Sequence, residues 1–101
     1  MSYSMIEMDV VRWGEARQIV QNSNPQAQAI KTLEEVVELM QAIAANDREA
    51  MKDAYGDILV TLVMGCACAD LDLVKCFAHA YEQIKDRKGT LLPNGIFQKE
   101  S

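Results

Sequence analysis

Hydrophobic residues recur at helical spacing along almost the whole chain. Ile30, Leu33, Val37, Met40 and Ile43 follow one another at three or four positions, which is the spacing of one face of an α-helix. Strand-like alternation is absent, and proline occurs only at positions 25 and 93. The pattern predicts an all-α fold in which this face of a helix is buried.

Polar residues mark the ends of four predicted helices. Asn24 suits an N-cap with Pro25 at the first helical position, and Asn46 with Glu49 predicts a capping box. Asp72 is the predicted N-cap of the last helix, and the segment from about 90 to 101 is predicted to be an extended tail with a turn. The helices are expected from about Ile6 to Gln21, Pro25 to Ala45, Asp47 to Ala69 and Asp72 to Lys88.

The third predicted helix is apolar on nearly every side after Ile58. Such a helix is buried by neighbours on more than one flank. A chain of 101 residues forms one domain, here 1–101, with a modest core. We therefore expect a four-helix protomer that assembles through helix packing into a homodimer or homotetramer.

Composition and charge exclude several classes of partner. The net charge of −5 and pI near 4.7 argue against a nucleic-acid polymer, which binds a basic face. The nearly uncharged run from Ile58 to Ala69 is too short to span a membrane, and the first residues lack the pattern of a signal peptide. Three cysteines in apolar helical surroundings predict buried free thiols in a reduced, cytoplasmic setting.

Five of the seven carboxylates between positions 34 and 57 are the candidate chemistry. At about 100° per residue, Lys31, Glu35 and Glu38 fall within an arc of about 80° on the second helix, with Glu34 at its edge. Buried carboxylates require cations, basic partners or protonation, and oxygen ligands of this kind suit Mg²⁺ or Mn²⁺. Asp53 and Asp57 lie one turn apart on the third helix, and with the glutamates they predict a site for Mg²⁺, which usually completes its shell with water and substrate phosphates.

A simpler interpretation is that the glutamates form a solvated helix face with Lys31 as their ion-pair partner, as charge clusters on helices usually do. Asp57 argues against it, because this residue is set among Tyr55, Ile58 and Leu59. Both interpretations stay open on the pattern alone.

The two acidic segments resemble the signature of the MazG-like, all-α nucleoside triphosphate pyrophosphohydrolases. That signature is Glu-Glu-x-x-Glu, a variable spacer, then Glu-x-x-Asp. Here Glu34-Glu35-Val36-Val37-Glu38 is followed fifteen residues on by Asp53-Ala54-Tyr55-Gly56-Asp57. Other segments similar to the small bacterial and phage branch are Trp13 and Arg17, Ser23 to Pro25, Gln28, Lys31, Lys85 to Gly89 and Gly95 to Phe97.

The resemblance implies magnesium-dependent cleavage between the α and β phosphates of a nucleoside triphosphate. By position, Glu35, Glu38 and Asp57 match metal ligands, and Ala54 stands where a glutamate ligand is expected. Asp53, one turn before Asp57, is expected to supply the missing oxygen. A water near Glu35 or Glu38 would be deprotonated for in-line attack, with Glu34 or Glu35 as general base.

Two further groups are candidate substrate contacts. Lys85, Arg87 and Lys88 would suit phosphate, or else a basic helix end that complements the helix dipole. Trp13 would stack on a base or belong to the core. Gln28 and Lys31 share the metal face and would contact base or phosphate.

The function expected from the resemblance is nucleotide-pool housecleaning by hydrolysis of an NTP or dNTP. The alternatives are phosphoribosyl-ATP hydrolysis, the activity of a related helical family, and a helical binding or regulatory module that has lost turnover. Ala54 motivates the last of these.

Overall fold

Two long helices form an antiparallel hairpin around which the rest of the protein is arranged. The computed structural model describes residues 1–100, and in it α3 (Pro25–Ala44) packs along α4 (Arg48–Cys68). The Thr32 and Thr61 hydroxyls meet at 2.7 Å between the two helices. Thr61 is buried, and its hydroxyl also donates to the Ile58 carbonyl, so this polar pair is satisfied inside the hairpin.

The remaining elements pack on or extend from this hairpin. The fold is mostly helical, as the sequence predicts, with four long helices and one short one. No helix within residues 1–100 combines the length and apolar character needed to cross a bilayer. In chain order the other elements are α1 (Tyr3–Ala16), α2 (Ile19–Asn22), α5 (Leu73–Ile84), β1 (Gly89–Leu91) and β2 (Phe97–Lys99).

The first predicted helix is broken, so its prediction as one element from Ile6 to Gln21 was wrong. Helix α1 ends at Ala16, and Gln18 adopts a left-handed conformation with φ of 65° before α2 begins. No glycine or proline at positions 16 to 18 marks this break. Ala16, Arg17 and Gln18 are all good helix formers, so the local sequence predicts a continuous helix. The change of direction turns Ile19 towards α4, where it lines a cavity with Met64.

The caps of the central hairpin are partly as predicted. The Asn24 side chain accepts from the Ala27 amide at 2.7 Å, with Pro25 in the first position. The capping box of Asn46 and Glu49 was wrong: Asp47 caps α4 by accepting from the Ala50 amide at 3.0 Å. Asn46 instead adopts the left-handed conformation, with φ of 53°, after the end of α3, a role that asparagine tolerates.

Helix α5 is capped from a distant part of the chain. Asp72 has the backbone of an N-cap but makes no side-chain capping bond. Glu7 of α1 accepts from the Val74 amide at 3.3 Å and from the Tyr3 hydroxyl at 2.8 Å. Burial and then the Glu7 carboxylate raise the pKa of Tyr3 to about 12. The helix ends at Ile84 rather than Lys88.

A close approach of α1 to α4 completes a small core. Gly14 is buried, and a Cβ atom there would meet the Met64 thioether, so glycine lets the two helices come together. Within residues 1–100 the buried hydrophobic side chains are Ala42, Ala54, Val63 and Met64.

The apolar face of α3 is not buried within the protomer, contrary to the prediction. Leu33 is 67% exposed and Met40 65%, and Ile30, Val37 and Ile43 are also exposed. Their spacing correctly identified a face of a helix, but spacing does not say which molecule covers that face.

The C-terminal tail is a β-hairpin, whereas the sequence predicted only an extended segment with a turn. Strands β1 and β2 pair antiparallel, with Gly89 opposite Lys99 and Leu91 opposite Phe97. Gly95 turns the chain with φ of 88°, a conformation that glycine adopts without a steric penalty.

Candidate metal centre

Three carboxylates from two helices converge on one side of the hairpin. Glu35 and Glu38 are one turn apart on α3, and Asp57 comes from the facing part of α4. One oxygen from each of the three lies within 4.8 Å of the others. Three carboxylate oxygens at this separation are a donor set suited to a hard divalent cation.

Glu35 is the buried member of the cluster, and one of its oxygens lacks a partner. Its Oε2 is buried and has no hydrogen-bond partner among residues 1–100, while Oε1 lies 3.5 Å from Lys31. Contact with Glu38, followed by burial, raises the pKa of Glu35. A buried, unpaired carboxylate oxygen is costly, and a bound cation would satisfy it.

Glu34 and Lys31 form an ion pair at the surface, whereas Glu35 is buried. Their side chains pair at 3.1 Å, and both are more than half exposed. Contact with Glu34 and then Glu35 raises the pKa of Lys31. An exposed pair of this kind adds little to stability, because water screens the two charges. The solvated-face interpretation therefore describes Glu34 but not Glu35.

Asp53 is near the cluster but is not one of the three converging carboxylates. It is exposed, and it lines a cavity of about 480 Å³ between α1 and α4 together with Asp57. Ala54, where the resemblance expects a ligand, is 4% exposed. Substitution of the missing ligand by Asp53 stays a prediction.

A second cavity, of about 370 Å³, lies beside the cluster. Glu35 and Asp57 form its acidic part, and Trp13, Gln28 and Lys31 are three of its other polar or aromatic members. The remaining lining residues are Ile19, Val60, Thr61 and Met64. An apolar cavity with a few polar groups is typical of a small-molecule site.

Trp13 belongs to the rim of this cavity rather than to the core, since it is 43% exposed. The Arg17 guanidinium lies 4.6 Å from the centre of its ring, a cation–π contact that restrains the indole. Gln28 is oriented by donating to the Ser23 hydroxyl at 3.0 Å. Sequence reasoning missed Ile19, because it enters the cavity only through the unexpected break before α2.

The basic group at the end of α5 is not part of either cavity. Lys85, Arg87 and Lys88 are absent from the residues that line the two cavities beside the cluster. Lys85 pairs with Glu82 at 2.8 Å, one turn earlier in the same helix. Their contact with phosphate stays a prediction.

The raised pKa of Glu35 has a consequence for stability that can be measured without metal. Folding disfavours the ionised carboxylate, so wild-type protein should lose stability relative to Glu35→Gln as pH rises through the folded-state pKa. Below the unfolded-state pKa the Glu35 carboxyl is protonated in both the folded and the unfolded state. This loss of stability relative to Glu35→Gln should then be absent. Urea unfolding in EDTA at several pH values checks this; a variant less stable than wild type at neutral pH would contradict it.

Comparison with known proteins agrees with this geometry. An uncharacterised 18.2 kDa protein from the rep-hol intergenic region of Haemophilus phage HP1 is 39% identical over 56 residues, which are 55% of this chain and 34% of the phage protein. The match thus covers about a third of that relative's length. No solved structure matches this chain. Residues 23–92 match the family model of the MazG nucleotide pyrophosphohydrolase domain. Because that segment includes the acidic cluster and covers most of the chain, the protein belongs to the MazG nucleotide pyrophosphohydrolase domain family.

Proposed function

We propose that the protein is a Mg²⁺-dependent nucleoside triphosphate pyrophosphohydrolase that converts an NTP or dNTP to the monophosphate and pyrophosphate. The observation that carries the proposal is the convergence of Glu35, Glu38 and Asp57 within 4.8 Å, with a buried Glu35 oxygen that lacks a partner. Membership of the MazG family supports the reaction class.

Glu35, Glu38 and Asp57 would hold the metal, with Asp53 as the proposed fourth ligand. Bound Mg²⁺, or Mn²⁺ in its place, would supply charge neutralisation for the triphosphate and polarise the P–O bond. The carboxylates would hold the metal in one place, because two helices of a packed hairpin present them, and the phosphates would bind beside it. The water oxygen bonds to the α-phosphorus, the bridging α–β P–O bond breaks, and pyrophosphate leaves.

A glutamate of the cluster takes the proton from the attacking water. Glu35 suits this task better than Glu34, because its carboxylate belongs to the converging cluster and its second oxygen has no hydrogen-bond partner among the described residues. Glu34 points to solvent and pairs with Lys31, so its proposed part is to orient that lysine.

The cavity beside the cluster would hold the nucleoside. Trp13, with Arg17 on its ring, would stack on the base, and the Gln28 amide would contact its edge. Lys31, on the same side as Glu35, would approach a phosphate. Lys85, Arg87 and Lys88 would also contact phosphate, which requires the end of α5 to approach the cluster.

A nucleotide panel tests the function directly. Each NTP and dNTP, and phosphoribosyl-ATP, would be incubated with the protein and Mg²⁺, with pyrophosphate detected through inorganic pyrophosphatase. We expect pyrophosphate and a monophosphate in equal amounts, and no monophosphate, separated by ion-exchange chromatography, in EDTA. Turnover of phosphoribosyl-ATP alone would support the histidine-pathway alternative, and no turnover on any member would reject the enzyme.

Asp53→Asn tests the substitute ligand. If Asp53 is the fourth ligand, the neutral side chain should weaken Mg²⁺ affinity and turnover by more than about 10-fold, the smallest effect seen when a group that only supports a ligand is lost. Isothermal titration with Mg²⁺ and the panel assay measure both. Lys52→Met at the neighbouring position of the same cavity wall is the control, and a wild-type rate in Asp53→Asn would remove Asp53 from the shell.

A non-catalytic binding or regulatory module is the second candidate. It is favoured by one observation, the buried Ala54 in place of a carboxylate. Such a module would bind Mg²⁺ and nucleotide, with measurable heat, but would release no pyrophosphate.

The assembly and location of the protein are also proposals. We propose a homodimer or homotetramer, supported by the small set of buried hydrophobic side chains in the protomer. A cytoplasmic location is supported by the three free cysteines, which suit a reducing compartment.

A further inference from the structure

A pair of threonine hydroxyls joins the two central helices beside the acidic cluster. The Thr32 hydroxyl on α3 and the Thr61 hydroxyl on α4 lie 2.7 Å apart. Within residues 1–100, this is the one hydrogen bond that links a side chain of α3 to a side chain of α4. Burial of apolar surface is non-directional, whereas a hydrogen bond requires a defined placement of both atoms. The threonine pair therefore restrains how α3 can slide or rotate against α4.

The threonine pair and the acidic cluster are successive layers of one helix interface. Thr32 precedes Glu35 by three positions on α3, and Thr61 follows Asp57 by four positions on α4. Residues three or four apart are neighbours on one face of a helix. Because the two helices are antiparallel, both steps lead in the same direction along the hairpin, over about 5 Å. Thr61 also lines the cavity that Glu35 and Asp57 line, so a shift at the threonine pair would move the carboxylates relative to one another.

Each threonine hydroxyl has a backbone acceptor on its own helix. A hydroxyl has one proton, so Thr61, which donates to the Ile58 carbonyl at 2.7 Å, accepts from Thr32. The Thr32 hydroxyl also lies 2.9 Å from the Gln28 carbonyl. Removal of either hydroxyl thus leaves the other with a backbone acceptor, and no buried donor is left unpaired.

Stability alone does not explain a pair of hydroxyls at this place. Thr61 is 7% exposed, and replacing both partners of a buried hydrogen bond by apolar groups of similar shape can be nearly neutral or stabilising. Valine has that shape but lacks the directional bond. The cluster one layer away depends on such a bond, because Glu35 Oε2 has no hydrogen-bond partner within residues 1–100 and Mg²⁺ demands nearly octahedral geometry.

We propose that Thr32 and Thr61 are positioning residues for the metal: their hydrogen bond sets the register of α3 against α4 at which the three carboxylates converge on one divalent cation. The inference rests on the metal site of the proposed function but not on turnover. One oxygen from each carboxylate lies within 4.8 Å of the others, and a displacement of about 1 Å can cost about 100-fold at a functional site. Loss of the bond should therefore weaken metal binding while the fold is retained.

Titration with Mn²⁺, without nucleotide, tests the threonine pair. Mn²⁺ takes the same kind of oxygen ligand, and the electron paramagnetic resonance signal of the free ion reports how much is bound. Thr32→Val and Thr61→Val should each weaken Mn²⁺ affinity about 10-fold. The double variant should bind no more weakly than either, since both changes remove the same bond. Thr61→Ser keeps the hydroxyl and should bind within about threefold of wild type.

Thr90→Val is the matched control, because it makes the same change at an exposed threonine of β1. Its Mn²⁺ affinity should equal that of wild type. Thermal unfolding in EDTA should place the melting temperature of each variant within about 8 °C of wild type, so that weaker binding is not a consequence of unfolding.

Wild-type affinity in either folded valine variant would overturn the proposal, and so would a Thr61→Ser variant that binds as weakly as Thr61→Val. A melting temperature lowered by more than about 8 °C in both valine variants would also overturn it, because the pair would then serve stability. Each of these outcomes leaves the proposed function standing, whereas wild-type protein that binds no Mn²⁺ would overturn both. Weaker Mn²⁺ binding in the valine variants, with no turnover in the nucleotide panel, would reject the enzyme and support the positioning role.

Discussion

Glu38→Gln and Asp57→Asn are each expected to lower turnover at least about 100-fold. Each change replaces a charged oxygen of the cluster by a neutral amide of nearly the same size, and loss of a metal ligand should exceed the effect of losing a group that only supports one. Initial rates on the best nucleotide of the panel, with saturating Mg²⁺, provide the measurement.

Glu49→Gln is the matched control for this pair. Glu49 is an exposed carboxylate in the first turn of α4, and its neutralisation should leave the rate within about twofold of wild type, as for most surface changes. Circular dichroism would establish that all three variants fold. Wild-type turnover in both Glu38→Gln and Asp57→Asn would reject the proposed site, whatever the control does.

Glu7→Ala is expected to lower the free energy of unfolding by about 2–4 kcal/mol. Glu7 is 6% exposed, and its removal leaves the Val74 amide and the Tyr3 hydroxyl without their acceptor. A buried donor left unsatisfied costs about 1–3 kcal/mol, and since these two donors are part-buried, the expected loss is nearer the lower end for each. Urea unfolding at fixed protein concentration measures the loss.

Two further variants separate the cap from general effects on α1. Tyr3→Phe removes one donor but keeps the bond from Val74 to Glu7, so it should cost about 1 kcal/mol. Glu15→Ala, at an exposed position of the same helix, should change stability by less than about 0.5 kcal/mol. Equal losses in Glu7→Ala and Glu15→Ala would show that the cap contributes nothing.

The carboxylates of the candidate site could be identified in the sequence because they follow helical geometry. Glu35 and Glu38 lie one turn apart, and the acidic segment of the next helix, joined by a short turn, had to return alongside them. Resemblance to a family singled out Asp57. The same reasoning could not decide whether the Asp53 carboxylate reaches the metal. Asp53 stands one position before Ala54, where the resemblance expects a ligand, and one position along a helix changes the direction of the side chain by about 100°.

Burial is where sequence reasoning failed. Leu33, Val37 and Met40 have the spacing of a buried face, yet they are exposed in the protomer. Hydrophobic periodicity reports that a face avoids water, and it is silent on whether the same chain or another copy covers it. For a related reason, the sequence could not decide whether Trp13 belongs to the core or to the site. The exposure of its side chain depends on how α1 packs against α4.

The sequence by itself determined the helical class, the Asn24 and Pro25 start of α3, and the acidic residues on one side of each central helix, because these depend on local spacing and capping. Only the tertiary structure decided the break at Gln18, the cap that Glu7 places on α5 and the exposure of Leu33 and Met40 in the protomer. Those features arise from contacts between residues distant in the chain, such as Glu7 and Val74, and no local pattern encodes which distant partner a side chain will meet.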